Sequence, residues 1–285
     1  MSSPQPIYTT ENCTLAYQLD WSLTLFWKTS PCADSWLPSL QAALEPDGVR
    51  ILSHRVSHGD CSMFLLSTLP HVRPTDIARR VKGRLQHLVR GSQPKAFQRN
   101  YDLRSIGSTN REKVEAYVAS QIVHHKIGDR LRAQFADLQI VNPEVDLSRP
   151  RFTAHARYWC NLHIVMVHDR RQGELRSEVW EAVRSLIRRA STAKEHLVSR
   201  VGIVPDHIHM TLGFRLEEAP IEVALSYMNN IAYVRGMEPI FTHSCYVATF
   251  GEYDLGAVRD EAMGTRRVGG QNGVGPVGSR VKGER

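Results

Sequence analysis

Two long stretches of this chain repeat one another at a fixed offset. Residues Val49–Val89 (VRILSHRVSHGDCSMFLLSTLPHVRPTDIARRVKGRLQHLV) and Glu195–Val234 (EHLVSRVGIVPDHIHMTLGFRLEEAPIEVALSYMNNIAYV) share one pattern. Each reads as a strand, a turn with an aspartate, a second apolar strand, a loop ending in proline, and an amphipathic helix. Asp60 and Asp206 stand 146 residues apart, as do Pro74 and Pro220. Downstream, Phe97/Phe241, Gly107/Gly251 and Val114/Val258 stand 144 apart, so the two-residue change falls in the loop between. Upstream, the alternating run WSLTLFW at Trp21–Trp27 has a partner in CNLHIVMV at Cys160–Val167, which gives each half a first strand. At 285 residues the length alone is only a weak prior for two domains. The repeat decides the count.

Each half is therefore expected to run strand, helix, strand, strand, helix, short strand, helix. This is an α+β unit with an antiparallel sheet and helices packed on it. The predicted organisation is an N-terminal arm over 1–14, a first domain over 15–128 and a linker over 129–150 that contains Pro143 and Pro150. A second domain follows over 151–263. The tail over 264–285 is rich in Gly and Val without periodicity, carries five basic residues against Glu284, and is expected to be disordered.

Hydrophobic residues at 42% with 23% charged describe a packed globular chain, and no apolar run approaches the roughly 20 residues that span a bilayer. No membrane partner is expected. The opening MSSPQPIYTTENC lacks the basic patch and apolar core of a signal peptide, which implies a reducing compartment. Cys13, Cys32, Cys61, Cys160 and Cys245 form no C-x-x-C pair, and their scattered spacing suits neither a disulfide framework nor a zinc knuckle, so all five read as free thiols. Of the formal net charge of +7, the informative part is local: between Arg73 and Arg99 eight basic residues face one acid, Asp76. Clusters of this kind displace counterions from a phosphate backbone, although a basic helix face is often merely solvated. On the helix from Pro74, Ile77, Val81, Leu85 and Leu88 are expected to face the core, leaving Arg79, Arg80, Lys82, Arg84 and Arg90 as candidate DNA contacts.

The sharpest chemical signal is Pro205-Asp206-His207-Ile208-His209-Met210. Side chains two apart on a strand share a face, so His207 and His209 project together while Ile208 points to the core. Paired imidazoles can serve as a platform for a divalent metal; an isolated H-x-H is more often a polar sheet face, and Pro205-Asp206 before the pair shifts the reading toward the metal. A second constellation lies in Ser105-Ile106-Gly107-Ser108-Thr109 followed by Tyr117-Val118-Ala119-Ser120-Gln121. Thr109 with Glu112 predicts a capping box and a helix starting near Asn110, which would put Tyr117 and Gln121 on one helical face. By itself Tyr117 reads better as a core aromatic among Val114, Val118 and Ile122.

PDHIHM resembles the PDHVHLL signature of the TnpA-like, single-tyrosine HUH transposases of the smallest insertion sequences and REP elements, and Tyr117 with Gln121 is similar to that family's second motif. The resemblance implies two tandem HUH, ferredoxin-like (RRM-like) domains. It implies Mg2+ or Mn2+ held by His207, His209 and Gln121, with Asp206 tuning or transiently binding the metal, and Tyr117 as the nucleophile. The expected reaction is cleavage and rejoining of single-stranded DNA with hairpin structure, through a 5′-phosphotyrosine that stores the bond energy. The resemblance further implies a bacterial, cytoplasmic, nucleoid-associated protein.

The chain departs from the pattern in a complementary way. The first copy has Cys61 and Met63 where the histidines belong, a poor pair for a hard ion. The second has Glu261 and Thr265 where the tyrosine and glutamine belong. One composite site, with Tyr117 from the first half and His207 and His209 from the second, accounts for both losses. Such a chain is a monomer acting as a fused pseudo-dimer, with further dimerisation left open. The rival reading is a catalytically inactive, domesticated pseudo-dimer that binds DNA hairpins as a regulator. A metal-dependent hydrolase would need further ligands, for which the sequence offers no pattern. Tyr101, His58, His124 and His125 are weaker DNA-contact candidates, each better read as a surface residue.

Overall fold

The computed structural model describes residues 5–29, 34–57, 60–125, 128–169 and 174–256. The first half contributes β1 (Thr14–Gln18), β2 (Asp20–Trp27), α1 (Leu37–Leu44), β3 (Val49–Ser57), β4 (Cys61–Thr68), α2 (Pro74–Val89), β5 (Phe97–Ile106), α3 (Arg111–Ala119) and α4 (Gln121–His124). A connecting stretch holds α5 (Asp129–Ala136), β6 (Ile140–Val141) and β7 (Arg151–Phe152). The second half holds β8 (Ala156–Trp159), β9 (Asn161–His168), α6 (Ser177–Lys194), β10 (Leu197–Val204), β11 (His207–Gly213), α7 (Pro220–Ala232) and β12 (Phe241–Thr249).

These strands build two six-stranded sheets, β3-β4-β2-β5-β8-β7 and β1-β12-β9-β11-β10-β6. Four strands of each repeat take the same order, β3-β4-β2-β5 in one sheet and β10-β11-β9-β12 in the other, all antiparallel. With the intervening helices this is the ferredoxin-like β-α-β-β-α-β arrangement, twice. Alternation explains the layering: on β11, Ile208, Met210 and Leu212 are fully buried in the main core together with Trp180 and Ile187 of α6 and Tyr227 and Met228 of α7.

The halves are tied together by an exchange of strands. β1 leads directly into β2 of the first sheet but pairs in parallel with β12 of the second. β8 leads into β9 of the second sheet but pairs in parallel with β5 of the first. Hydrogen bonds at the crossing obey the same reciprocity. Asp20 N donates to Thr249 Oγ1 (2.8 Å) and Asn161 N to Ser105 Oγ (3.0 Å). Thr249 Oγ1 donates to Ile106 O and Ser105 Oγ to Phe250 O, both at 2.6 Å. Arg111 N donates to Gly251 O (2.6 Å), and Leu255 N to Gly107 O (2.8 Å). The paired glycines exist for this approach: a Cβ on Gly107 would lie 2.6 Å from Thr249 O, and one on Gly251 would fall on Ser105 O.

Several sequence boundaries shift for the same reason. The predicted linker over 129–150 contains α5 and β6, and β6 forms the edge of the second sheet beside β10. Residues 151–159, read as the start of the second domain, lie in the first sheet, because strand pairing there is decided by the partner in space. The predicted arm is docked over its described part: buried Tyr8 accepts from Ile240 N and Phe241 N at 2.9 and 2.8 Å. β5, expected to be short, runs ten residues. On α2 the core positions are Ile77, Val81, Leu85 and Val89, one per i+4 step, while Leu88 turns outward. Cys13, Cys61, Cys160 and Cys245 are free thiols; Cys32 and the predicted tail lie outside the described residues. Among the described residues no helix is long and apolar enough to cross a membrane.

Candidate active site

The face of the second sheet opposite α6 and α7 carries His207, His209 and Thr211 of β11. His163, Val165 and Val167 lie beside them on β9, half-buried between fully or nearly buried neighbours. The turn Pro205-Asp206 sets up the first histidine. Asp206 O accepts from His168 N at 2.8 Å, tying the turn to β9, and its carboxylate oxygen lies 2.8 Å from His207 Nδ1. The second histidine is held from the neighbouring strand, with His209 Nδ1 at 2.9 Å from His163 Nε2. The His207 and His209 rings stand 4.8 Å apart, centroid to centroid.

Onto this face pack α3 and α4 from the other half of the chain. Their approach depends on Gly202, which pairs across the ladder with His209: a Cβ there would lie 2.7 Å from Val118 O and 3.0 Å from Gln121 Cγ. Tyr117 is thereby set edge-on to His209, ring centroids 5.3 Å apart, with His124 (6.3 Å) and His163 (6.4 Å) also around it. It remains 48% exposed. His125 lies against His207 at 4.9 Å.

Two local expectations are corrected. The N-cap of α3 is Asn110, whose side chain accepts from Lys113 N at 3.1 Å, and not Thr109. Asn110 forms a β-bridge with Gly251, which holds it extended, at the φ and ψ a cap requires. The helix also breaks between the motif residues. Ser120 leaves helical geometry at φ −93° and ψ 4°, its hydroxyl bonding Tyr117 O at 3.0 Å in competition with the backbone. Gln121 starts α4, sends its Nε2 to that same carbonyl (3.0 Å) and is buried, so it does not share the open face of Tyr117.

Burial, reinforced by the nearby imidazoles, pushes His209 down to about 2, and burial pushes His163 down to about 4. Both rings are neutral at physiological pH, the form in which imidazole ligates a metal. Each of His207 and His209 has its Nδ1 engaged, the arrangement in which Nε2 serves as the ligating nitrogen. The donor set thus fits a divalent cation, with the Gln121 amide oxygen as the nearby candidate for a further ligand. Among the described residues no group of three or more His, Cys, Asp or Glu is arranged to hold one.

The matching place in the first half has the same frame and other chemistry. Asp60 O accepts from Trp27 N at 2.7 Å, as Asp206 O does from His168, and Cys61 Sγ donates to Asp60 Oδ1 at 3.2 Å where His207 meets Asp206. Burial and Asp60 push the Cys61 thiol up to about 11, so it is not a thiolate. Glu261 and Thr265 lie outside the described residues.

The basic helix is not part of this face. α2 packs against α1 and β5 and meets α7 end to end, through Thr75 N to Leu216 O and Ile221 N to Pro70 O (both 3.1 Å) and the Arg73–Glu222 ion pair. It therefore lies with α7 on the helical side, whereas Tyr117 and the histidines occupy the other side of the second sheet. Arg84 is paired with Asp47, Arg80 donates to Asp47 O, Lys82 donates to Arg99 O at 2.8 Å and Arg79 pairs with Asp76 at 2.7 Å. Arg90 is exposed at the helix end. Tyr101 sits in the first sheet between β2 and β8, and His58 lies outside the described residues. The residue missed in the sequence is His163. Its signal was its place in the alternating run of β9, the strand predicted to open the second unit.

Comparison with known proteins adds to this geometry. No curated protein matches the chain significantly. Among solved structures, a candidate transposase from Deinococcus radiodurans is similar at 14% identity and a TM-score of 0.32, covering 40% of this chain and 95% of that one. An unknown protein from Galdieria sulphuraria is similar at 10% identity and a TM-score of 0.21, covering 81% of this chain and 97% of that one. Residues 156–234, the stretch from β8 through α7 that carries both histidines, match the family described as IS200-like transposases.

Proposed function

We propose that the chain is a DNA transposase or nicking enzyme that cuts and rejoins single-stranded DNA at one composite site, acting as a fused pseudo-dimer. The observation that carries this reading is the meeting of Tyr117, from one half, with His209, from the other, over Gly202. The match of 156–234 to IS200-like transposases supports DNA as the substrate. His207 and His209, with Gln121, would hold Mg2+ or Mn2+, and a bound divalent ion withdraws charge from phosphoryl oxygens. The roles of the protein groups follow from their placement. Tyr117 Oη attacks the phosphorus and forms the new P–O bond as the P–O3′ bond breaks. The phenol proton passes to water at its exposed edge, and the departing 3′ oxygen takes up a proton to become a 3′-OH. The 5′-phosphotyrosine keeps the bond energy, so the 3′-OH of another end can reverse the step without ATP. Asp206 orients His207, as its 2.8 Å contact with Nδ1 implies.

The test is incubation of the full chain with a labelled single-stranded hairpin library and Mn2+, resolving adducts on a denaturing gel and mapping them by peptide mass. An adduct on Tyr117 is expected. Tight hairpin binding without any adduct would replace this reading with that of an inactive DNA-binding regulator.

A further inference from the structure

Resting on the metal reading above, we infer that His163 is a positioning residue that selects the tautomer of His209. Its Nε2 accepts the proton of His209 Nδ1 and so leaves Nε2 of His209 as the lone-pair nitrogen. The contact is 2.9 Å between two ring nitrogens, and a neutral pair can share only one proton there. If His163 donated instead, His209 would carry its own proton on Nε2, where it could not ligate.

His207 gives the pattern for comparison. Its Nδ1 faces the Asp206 carboxylate at 2.8 Å, and an ionised carboxylate can only accept, so His207 is held as the Nδ1–H tautomer. On β11 the next ligand, His209, has no hydrogen bond or ion pair to an acid among the described residues. Its Nδ1 is served from β9, by His163, whose ring is held between the Tyr117 and Tyr246 edges at 6.4 and 6.2 Å.

The first half supplies an independent observation. His163 pairs across its sheet with Thr211 and Ala248; the residue in the corresponding register, between Leu65 and Arg104, is Ser22. Where the histidines are replaced by Cys61 and Met63, the third imidazole is replaced too. Asp60, whose carbonyl accepts from Trp27 N as that of Asp206 does from His168 N, is kept. The three positions differ together, as members of one arrangement would.

The experiment uses the full-length chain without DNA. Mn2+ binding is measured by electron paramagnetic resonance for the wild type, His163→Phe and His163→Gln, and the tautomer of His209 is read in the metal-free wild type by 15N NMR of labelled histidine. His163→Phe is expected to weaken Mn2+ about 10- to 100-fold, the usual effect of losing such a partner. His163→Gln, whose amide oxygen can accept the same proton, is expected to recover most of that loss, which a merely space-filling role would not predict. The wild-type His209 is expected to carry its proton on Nδ1. Wild-type Mn2+ affinity in His163→Phe, or an Nε2–H tautomer in the wild type, overturns the inference while leaving the metal site standing. A wild-type chain that binds no Mn2+ overturns the metal reading and this inference with it. Should His163→Phe fail to fold, the tautomer and the His163→Gln affinity decide.

Discussion

β4 and β11 hold the same place in two sheets of the same topology, each between the second and the first strand of its repeat, yet they present Cys61 and Met63 on one and His207 and His209 on the other. Even the inward residue between them differs. Ile208 is an apolar core residue, whereas Ser62 is fully buried and polar, and is satisfied by Trp27 Nε1 at 2.9 Å and His54 Nε2 at 3.0 Å. What both keep is the aspartate whose carbonyl ties the strand-to-strand turn to the first strand of its repeat. The frame depends on backbone pairing and on inward satisfaction. The outward pair is free to change, and it is the pair to which the proposed function assigns the chemistry.

The comparison can be broken most directly at the nucleophile. Tyr117→Phe is expected to abolish the covalent adduct while leaving hairpin binding intact, and His207→Ala to remove Mn2+-dependent cleavage, both read on denaturing gels. Retained adduct in Tyr117→Phe would mean that the halves do not divide the labour as proposed. Next in size is Gly202→Val, which sets a branched side chain against the α3 backbone. Overpacking of this kind costs about 1–3 kcal/mol, and cleavage should fall by at least tenfold as Tyr117 is displaced from His209, with hairpin affinity kept. Unchanged cleavage in a stable Gly202→Val chain would show that the contact over Gly202 is not needed.

A smaller effect is expected at the crossing. Ser105→Ala removes the bond to Phe250 O and the acceptor for Asn161 N, and losses of this type cost about 1–3 kcal/mol. Thr249→Val should cost a similar amount through Ile106 O and Asp20 N, and denaturant unfolding compares the two. A marked asymmetry would mean that the halves do not share the crossing equally. Least of all should follow from Cys61→Ser or Glu261→Ala, for which cleavage is expected to stay within about twofold of the wild type. A strong loss from Glu261→Ala would defeat the composite reading.

Much of this was legible before any coordinates. The offsets of Asp60/Asp206 and Gly107/Gly251 announced two copies, and alternation along His207-Ile208-His209 placed two imidazoles on one face, because the pleat of a strand turns sequence parity into direction. The Tyr117 helix was legible as an element, but its break at Ser120 was not. A serine hydroxyl that captures a carbonyl looks, in sequence, like any exposed helical serine. Periodicity likewise marked α2 as amphipathic without showing that Arg80, Lys82 and Arg84 turn back onto their own chain.

The sequence by itself determined the repeated units, the strands and helices within them, and the residue types available for chemistry. These follow from local periodicity and from the aspartate, proline and glycine positions that interrupt it. Only the tertiary structure decided that β1 and β8 exchange sheets, that α3 docks over Gly202 of the other half, and that His163 meets His209 from the adjacent strand. Each of those is a pairing between segments far apart in the chain, chosen by which surfaces bury and satisfy one another, and local pattern does not encode the partner.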